Sequence, residues 1–164
     1  GNLFLKKTIN SRKLFFQVWE NNLIIKNLVE MRDVNMVDGC FDPIHPGHIL
    51  YFEKANNLGG PVFCNVTGDN YLKTKHKPLL SHEKRCQIID SIKYVHFTYQ
   101  SIYKTSVVLE KLKPKRYVKG KDWLEKGIYQ DEKEVCIKYN IEIVYLNTVI
   151  DSSTEILENF NNAK

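Results

Sequence analysis

The sequence predicts a single α/β domain built on a mainly parallel five-stranded sheet, and two regularities indicate this fold class. Short apolar runs end in turns that contain Gly or Asp, which is typical of buried strands. Between these runs lie segments whose apolar residues recur at helical spacing. A strand, a helix and a further strand in succession form a right-handed crossover, and such crossovers build parallel sheets.

Size and composition are consistent with this fold. The chain has 164 residues, of which 43% are hydrophobic and 26% charged, as is typical of one folded globular domain. The net charge of +5 suits nucleic acid or phosphate-rich small substrates equally well. No apolar stretch is long enough to span a bilayer, and the four cysteines are too scattered to form a disulfide framework. We therefore expect a cytoplasmic protein with reduced thiols and no membrane partner.

The first 33 residues are expected to form an N-terminal helical leader, and residues 34–164 the domain. Apolar residues with roughly helical spacing, among them Phe15, Phe16 and Trp19, favour a helix in the leader. This helix would pack on the domain or form a dimer contact. A structural role is therefore expected for the leader, rather than a catalytic one.

The most informative stretch lies where the first strand gives way to the first helix. A buried strand is predicted to end at Gly39, and an amphipathic helix to begin at about His48. Pro43 and Pro46 exclude regular helix between them, because each lacks an N–H and restricts the residue before it. The strand and the helix are therefore joined by a turn rather than by continuous structure.

This turn places two imidazoles, those of His45 and His48, at the amino end of a helix. Free N–H groups and the helix dipole favour anions there, and Gly39 and Gly47 would let the backbone approach a ligand closely. Such a site suits phosphoryl or nucleotidyl transfer, in which the protein mainly neutralises phosphate oxygens. Two other interpretations are ordinary surface histidines and a zinc site with Cys40. No Cys-x-x-Cys partner is present, so no metal site is predicted.

The remaining elements follow in alternation along the chain. Further strands are predicted at residues 61–67, 94–97, 116–120 and 141–146. Helices are predicted from Ser81, over 107–112, over 131–139 and from Ser152. Ligands bind beyond the carboxyl ends of parallel strands, so the histidine turn and Asp69, which follows the second strand, are expected at the same edge.

The residues of the histidine turn resemble the signature of a known family, the cytidylyltransferase-like nucleotidyltransferases, which carry His-x-Gly-His on a Rossmann-like domain. This family includes glycerol-3-phosphate, phosphocholine and phosphoethanolamine cytidylyltransferases and the adenylyltransferase that makes ADP-heptose. The resemblance implies that the two histidines stabilise charge on the reacting phosphates and that their neighbours contact the nucleotide. The matching residues are Gly39, Cys40, Phe41, Asp42, His45, Gly47 and His48.

A basic loop follows the second strand, and the family has a lysine-bearing loop at this place. The resemblance implies that Lys73 or Lys75 contacts the triphosphate as part of the catalytic machinery. Pro78 and Arg85 match the family spacing of a Pro and a downstream Arg, so Arg85 is expected to support the nucleotide site. A solvated run of charges is the structural alternative.

Two further segments resemble nucleotide-binding parts of the family. Lys119, Gly120 and Asp122 match the segment that holds the base, while the neighbouring Trp123 is equally explained as a packing residue. Near the end of the chain, three hydroxyl residues precede an apolar helix and provide a cap and free N–H groups. The resemblance implies that they hold the phosphate chain; they are Ser152, Ser153 and Thr154.

Taken as an expectation, the function is transfer of CMP or AMP from CTP or ATP to a small phosphorylated compound, with release of pyrophosphate. The acceptor would be a sugar, polyol or amino-alcohol phosphate, and Mg²⁺ would accompany the triphosphate. The run from Asn147 to Ile150 replaces the Arg-Thr-Glu-Gly of the glycerol phosphate enzymes, so that acceptor is in doubt. A homodimer is expected, and a nucleic-acid substrate is not.

Two alternatives remain open. One is a catalytically inactive nucleotide- or RNA-binding module of the same fold, which the net charge favours and the intact His45, His48 and lysine loop oppose. The other is adenylyl transfer to a mononucleotide or to phosphopantetheine. Members of those branches commonly have Thr in place of the first histidine, so His45 argues against it.

Overall fold

The computed structural model describes residues 33–68, 77–147 and 153–163. Within these ranges the chain forms one sheet, whose strands are β1 (Asn35–Gly39), β2 (Val62–Val66), β3 (Phe97–Gln100), β4 (Arg116–Gly120) and β5 (Glu142–Leu146). The helices in the same ranges are α1 (Pro46–Asn57), α2 (His82–Asp90), α3 (Thr105–Leu112), α4 (Asp122–Lys126), α5 (Gln130–Lys138) and α6 (Ser153–Asn162).

The sheet is parallel throughout, with strand order β3-β2-β1-β4-β5. The chain leaves β1 towards β2 and β3 on one side, and then crosses through α3 to β4 on the other side. The strand order therefore reverses between β1 and β4. Ligands of open α/β sheets bind in the crevice outside the carboxyl ends of two such strands. The parallel five-stranded α/β domain predicted from the sequence is thus confirmed.

Each strand sends alternate side chains to opposite faces of the sheet. On one face Val37 packs with Tyr51 and Phe52 of α1, together with apolar residues of α2. On the other face Met36 packs with Tyr117 and with apolar residues of α3 and α5. Because both faces are covered, the strands are apolar nearly throughout, which explains why they are visible in the sequence.

Several predicted boundaries differ from the structure by one or more residues, and two of these differences have a clear physical reason. The strand predicted at residues 94–97 is wrong in extent, because pairing with β2 begins only at Phe97 and continues to Gln100. Val95 lies in a turn, where its N–H donates to the carbonyl of Ile92, and it fills the core without pairing. Apolar character therefore indicated burial here rather than a strand. Helix α1 begins at Pro46 instead of His48, since proline is favoured where an N–H has no intrahelical partner.

In the described ranges no helix is both long and apolar enough to cross a bilayer. All four cysteines are free thiols, in agreement with the sequence-based expectation. The predicted leader and the basic loop at residues 73–76 lie outside the described residues.

Candidate functional site

The histidine turn forms a capping box made of two imidazoles. His45 is the N-cap of α1, and its Nδ1 accepts the N–H of Gly47 at 3.1 Å. In return the N–H of His45 donates to Nδ1 of His48 at 3.2 Å. The two rings are tilted by 30° to each other, with centroids 3.8 Å apart. Ser or Thr and Glu normally make this reciprocal arrangement, so both rings are held by the backbone of the helix start.

These hydrogen bonds determine the tautomer of each imidazole. A nitrogen that accepts a hydrogen bond has no proton, so in both His45 and His48 the proton lies on Nε2. Burial, together with the neighbouring His45, lowers the pKa of His48 to about 3, so this ring is neutral at physiological pH. The turn therefore presents two neutral N–H donors beside a helix N-terminus, which is an arrangement suited to phosphate oxygens.

The ring of Phe41 packs against the imidazole of His48. Its ring meets the imidazole of His48 edge-on with centroids 5.0 Å apart, and it packs against Phe52 of α1 at 5.3 Å. Phe41 has a φ of 55°, in the left-handed region, and is buried. A Cβ at Gly39 would come within 3.0 Å of the Phe41 ring. The glycine is therefore needed because the aromatic ring lies against its backbone.

Asp42 organises the loop that precedes α2. It is buried, and its two carboxylate oxygens accept the N–H groups of Leu79 and Leu80 at 2.7 and 3.1 Å. These contacts fix the loop after Pro78 against the histidine turn. The nucleotide contact that the resemblance implies for Asp42 stays a prediction.

Arg85 joins three loops at the same edge of the sheet. Its guanidinium is buried and donates to the carbonyls of Cys40, Thr67 and Leu80 at 2.6, 2.9 and 3.2 Å. The Thr67 hydroxyl also donates to Sγ of Cys40 at 3.0 Å. The supporting role expected for Arg85 is consistent with this network, whereas direct nucleotide binding by Arg85 or Cys40 stays a prediction.

The second half of the crevice is built on the carboxyl end of β4. The ammonium of Lys119 is buried, lies 2.7 Å from Oδ1 of Asp38, and sits 4.2 Å from the centre of the Trp123 ring. Trp123 covers the ion pair, so it has a packing role whatever else it binds. One oxygen of Asp122 is buried without a hydrogen-bond partner. Gly120 pairs with Leu146 at the end of the β4–β5 ladder.

The remaining predicted residues are only partly described. Asp69, Lys73, Lys75 and Ser152 lie outside the described residues. Ser153 and Thr154 are the first residues of α6, which begins shortly after β5 ends at this same edge of the sheet. The predicted approach of this helix start to His45 therefore stays a prediction.

The sequence interpretation missed three polar residues of the crevice: Asp38, Tyr117 and Glu132. Asp38 lies at the carboxyl end of β1, and the phenol of Tyr117 lies between its carboxylate and that of Glu132. The sequence did carry a signal for Asp38, because it is a charged residue within an otherwise apolar strand. Glu132 lies in a run of charged residues on α5, where nothing in the letters distinguishes the buried one from its solvated neighbours.

A site for Mg²⁺ requires oxygen ligands in near-octahedral geometry. Across residues 33–68, 77–147 and 153–163, no group of three or more His, Cys, Asp or Glu side chains could hold a metal ion. The carboxylates of Asp38 and Asp42 are engaged by protein donors. The described residues therefore form no preformed metal cage.

Comparison with known proteins agrees with this geometry. The cytidylyltransferase-like family model matches residues 36–159. The bifunctional protein HldE of Helicobacter pylori (strain P12) is 32% identical over 124 residues, which cover 70% of this chain and 27% of HldE. FAD synthase of Methanothermus fervidus is 30% identical over 141 residues, which cover 79% of this chain and 95% of the synthase.

A solved structure extends the comparison to the fold. The lipopolysaccharide core biosynthesis protein from Thermoplasma volcanium GSS1 superimposes with a TM-score of 0.59 at 23% identity, over 71% of this chain and 98% of that protein. At this identity the match shows a shared fold. The chain spans only about a quarter of HldE, so its likeness to HldE concerns one part of that protein. Together, the family match over residues 36–159 and the histidine turn at the switch point show that this chain belongs to the cytidylyltransferase-like family.

Proposed function

We propose that the domain transfers CMP or AMP from CTP or ATP to a small phosphorylated compound and releases pyrophosphate. The observation that supports this most is the pair of imidazoles fixed as Nε2–H donors at the start of α1. An oxygen of the acceptor phosphate forms the new bond to the α-phosphorus. The bond from that phosphorus to the bridging oxygen breaks, and its electron pair leaves with pyrophosphate.

In this scheme the protein supplies donors and position, and no side chain forms a covalent intermediate. His45 and His48 donate to oxygens of the transferring and leaving phosphates, where negative charge increases in the transition state. Neutral donors suit this role because their position does not depend on a proton taken up from solvent. The backbone caps also hold both rings in place before the nucleotide arrives, so little reorganisation is needed during the reaction.

The other proposed contacts follow the resemblance. Lys73 and Lys75 and the helix start at Ser152–Thr154 hold the triphosphate, and Lys119 with Asp122 lies beside the base. Mg²⁺ bound to the triphosphate would neutralise part of its charge, since the usual partners of this ion include substrate phosphates. We further propose a homodimer that acts in the cytoplasm on a small molecule, with no role for nucleic acid.

Relatives support both adenylyl and cytidylyl transfer. The family description names cytidylyl transfer, while FAD synthase is named for a product that contains an adenylyl group. The acceptor also differs among relatives. We therefore leave nucleotide and acceptor as the two variables of the experiment.

The test is pyrophosphate release by the full chain with CTP or ATP and Mg²⁺. Acceptors are a panel of phosphorylated sugars, polyols and amino-alcohols and flavin mononucleotide. We expect release with one nucleotide and one acceptor class, and that nucleotide should raise Tm by several degrees at about a hundredfold excess over Kd. Nucleotide binding without turnover on any acceptor would instead support the inactive binding module. Absence of both nucleotide binding and pyrophosphate release would contradict the proposal.

The lysine loop has a separate test. Replacing Lys73 or Lys75 with Ala should raise KM for the nucleotide or lower kcat, while leaving acceptor preference unchanged, because each ammonium would neutralise phosphate charge. Lys93→Ala is the matched control, since Lys93 is exposed beside the ring of Tyr94 and belongs to no predicted contact. If the loop variants behave like the control, the loop is only a solvated run of charges.

A further inference from the structure

A cluster of polar side chains fills the α3 and α5 side of the crevice, opposite the histidine turn. We call it the carboxylate cluster, and its members are Asp38, Thr105, Tyr117, Lys119 and Glu132. It lies at the carboxyl ends of β1 and β4, the two strands between which the order of the sheet reverses. Its position therefore joins helix α5 to the edge where the nucleotide is expected.

Asp38 is the centre of this cluster. Its Oδ1 lies 2.7 Å from the ammonium of Lys119, and its Oδ2 accepts the hydroxyls of Thr105 and Tyr117, each at 3.2 Å. The Tyr117 hydroxyl also lies 2.5 Å from Oε1 of Glu132. All the charged groups of the cluster are buried or nearly so, and water therefore screens them little.

The hydrogen bonds around Tyr117 require an extra proton. A phenol has one proton to donate, yet Tyr117 has a carboxylate oxygen on each side. The ammonium of Lys119 lies 2.7 Å from Oδ1 of Asp38 and compensates that carboxylate, so the extra proton belongs to Glu132. When Glu132 is ionised, the Tyr117 hydroxyl donates to it; when Glu132 holds the extra proton, Glu132 donates to the oxygen of Tyr117, and Tyr117 is free to donate to Asp38. In agreement, burial and the charge of Asp38 raise the pKa of Glu132 to about 7.

We propose that Glu132 is a positioning residue, which in its neutral form fixes the Asp38–Lys119 pair through Tyr117 and so maintains the nucleotide site. When Glu132 loses its proton, two buried carboxylates compete for one phenolic proton and repel each other. Asp38 then loses the hydrogen bond from the Tyr117 hydroxyl. Without that bond its carboxylate no longer holds the ammonium of Lys119 in one fixed position. The proposal rests on the proposed function only in its claim about the nucleotide.

The other titratable groups that face Glu132 come from β1, β4 and α5 itself. Asp38 of β1 disfavours the ionised carboxylate of Glu132, whereas Lys119 of β4 favours it. On α5 itself, Asp131 accepts the N–H of Glu132 at 3.0 Å and adds a like charge, and the thiol of Cys136 has a pKa raised to about 11 and stays neutral. Tyr117 has its pKa raised by burial and also stays neutral. Glu132 is therefore the member of this set that titrates near neutral pH.

The experiment compares Glu132→Gln with wild type across pH 5.5–8.5. A Gln amide donates to Tyr117 permanently, so it imitates the neutral acid and cannot ionise. In wild type, Kd for the preferred nucleotide should rise about 3- to 10-fold between pH 6 and pH 8.5, because one proton changes an equilibrium by at most about tenfold per pH unit. In the Gln variant Kd should stay within about twofold, and above pH 7.5 it should be tighter than in wild type.

Glu134→Gln is the matched control, because it makes the same change at an exposed position of the same helix. It should follow the wild-type pH curve. A purely structural role for Glu132 would not make the Gln variant bind more tightly than wild type at high pH. If Glu132→Gln follows the same pH curve as wild type, the proposal is rejected.

A second readout needs no nucleotide and separates this proposal from the proposed function. The wild-type folding constant, divided by that of Glu132→Gln, should fall as pH rises from about 4.5 to about 7, by at most about 300-fold. Absence of nucleotide binding at every pH would remove the proposed function, while this ratio would still report the proton on Glu132. A ratio that does not change with pH would place the extra proton elsewhere and reject the proposal.

Discussion

The two sides of the crevice hold their buried polar side chains in place in different ways. On the α1 side, neutral imidazoles are held by backbone N–H groups at the start of a helix. On the α3 and α5 side, the carboxylate cluster is held by side chains that come from separate strands and helices. The first arrangement is local in sequence, and the second depends on the assembled sheet.

The two sides also respond to burial in opposite directions. Burial disfavours whichever form of a group is charged. It therefore lowers the pKa of the imidazole of His48 and raises that of the carboxyl of Glu132. The imidazole of His48 is therefore neutral above about pH 3, whereas the carboxyl of Glu132 is mainly neutral only below about pH 7.

The largest expected effect is on stability and comes from the charged side. Replacing Asp38 with Ala leaves the ammonium of Lys119 buried without its partner, and should lower the free energy of unfolding by about 3–5 kcal/mol. Urea denaturation measures it. Adding Lys119→Met to Asp38→Ala should restore much of the loss, since the unpaired charge is then removed.

Asp33→Ala is the matched control for Asp38→Ala. Asp33 faces Lys115 at 3.7 Å, but its side chain is 81% exposed, against 9% for Asp38. Exposed pairs contribute little, so this variant should change the free energy of unfolding by less than about 1 kcal/mol. Equal effects at Asp33 and Asp38 would contradict the burial argument.

The next effect is on catalysis and comes from the histidine side. His48→Ala removes an Nε2–H donor and should lower kcat by about 100-fold or more. The loss of its cap to His45 should cost only about 1 kcal/mol of stability. Pyrophosphate release and thermal unfolding measure the two quantities.

His96→Ala provides the control for His48→Ala. Nδ1 of His96 also accepts a backbone N–H, that of Val62, but at the opposite edge of the sheet. The His96→Ala variant should lose about as much stability as His48→Ala and keep its activity. Near-normal turnover in His48→Ala would show that this ring is only a cap.

The third prediction concerns the sign of the pH dependence of stability. Between pH 6.5 and about 3 the unfolded chain binds more protons at His48 than the folded protein does, so this contribution is present above 6.5 and is lost as pH falls. Glu132 acts in the opposite direction, since its folded pKa of about 7 exceeds the ordinary 4.5, and its contribution is lost as pH rises.

Urea midpoints from pH 4 to pH 8 separate the two slopes. His48→Gln should remove the loss at low pH, because a Gln at this position still caps the helix and does not titrate in this range. Glu132→Gln should remove the loss that occurs as pH rises from about 4.5 to about 7. Slopes of the same sign for the two variants, each relative to wild type, would contradict the comparison.

The smallest effect tests how Phe41 holds the histidine side in place. A Cβ at Gly39 would lie 3.0–3.3 Å from three atoms of the Phe41 ring, so Gly39→Ala should cost about 1 kcal/mol by overpacking. The displaced ring should also move His48, so kcat should fall more than stability alone explains. Gly68→Ala is the control, since a Cβ there meets its nearest atoms at an ordinary 3.6 Å. Unchanged kcat in Gly39→Ala would show that Phe41 does not position His48.

The histidine side could be predicted from the sequence, and the carboxylate cluster could not. The residues of the histidine turn are contiguous, so Gly39, the two prolines and His45 specify the end of a strand and the start of a helix from short-range rules alone. The prediction did not foresee that the histidines themselves form the cap. A histidine at an N-cap is unusual, and the reciprocal bond depends on ring orientation, which letters do not show.

The third strand shows why apolar patterns are less reliable at boundaries. Val95 is as buried as any strand residue, yet its N–H belongs to a turn, and pairing starts two residues later at Phe97. Periodicity reports which side chains are buried, whereas strand pairing is decided by the backbone of a neighbouring strand, which is often distant in sequence.

The amino-acid sequence by itself determined the alternation of strands and helices, the parallel sheet and the turn that carries the candidate anion site at the start of α1, because each rests on neighbours along the chain. Tertiary structure alone decided that Asp38, Tyr117, Lys119 and Glu132 share one buried cluster. These residues are separated by up to 94 positions, and the physical reason for their meeting is the β1–β4 pairing and the packing of α5 against it. The protonation of Glu132 follows from that packing, since burial beside a second carboxylate, rather than its place in the chain, raises its pKa.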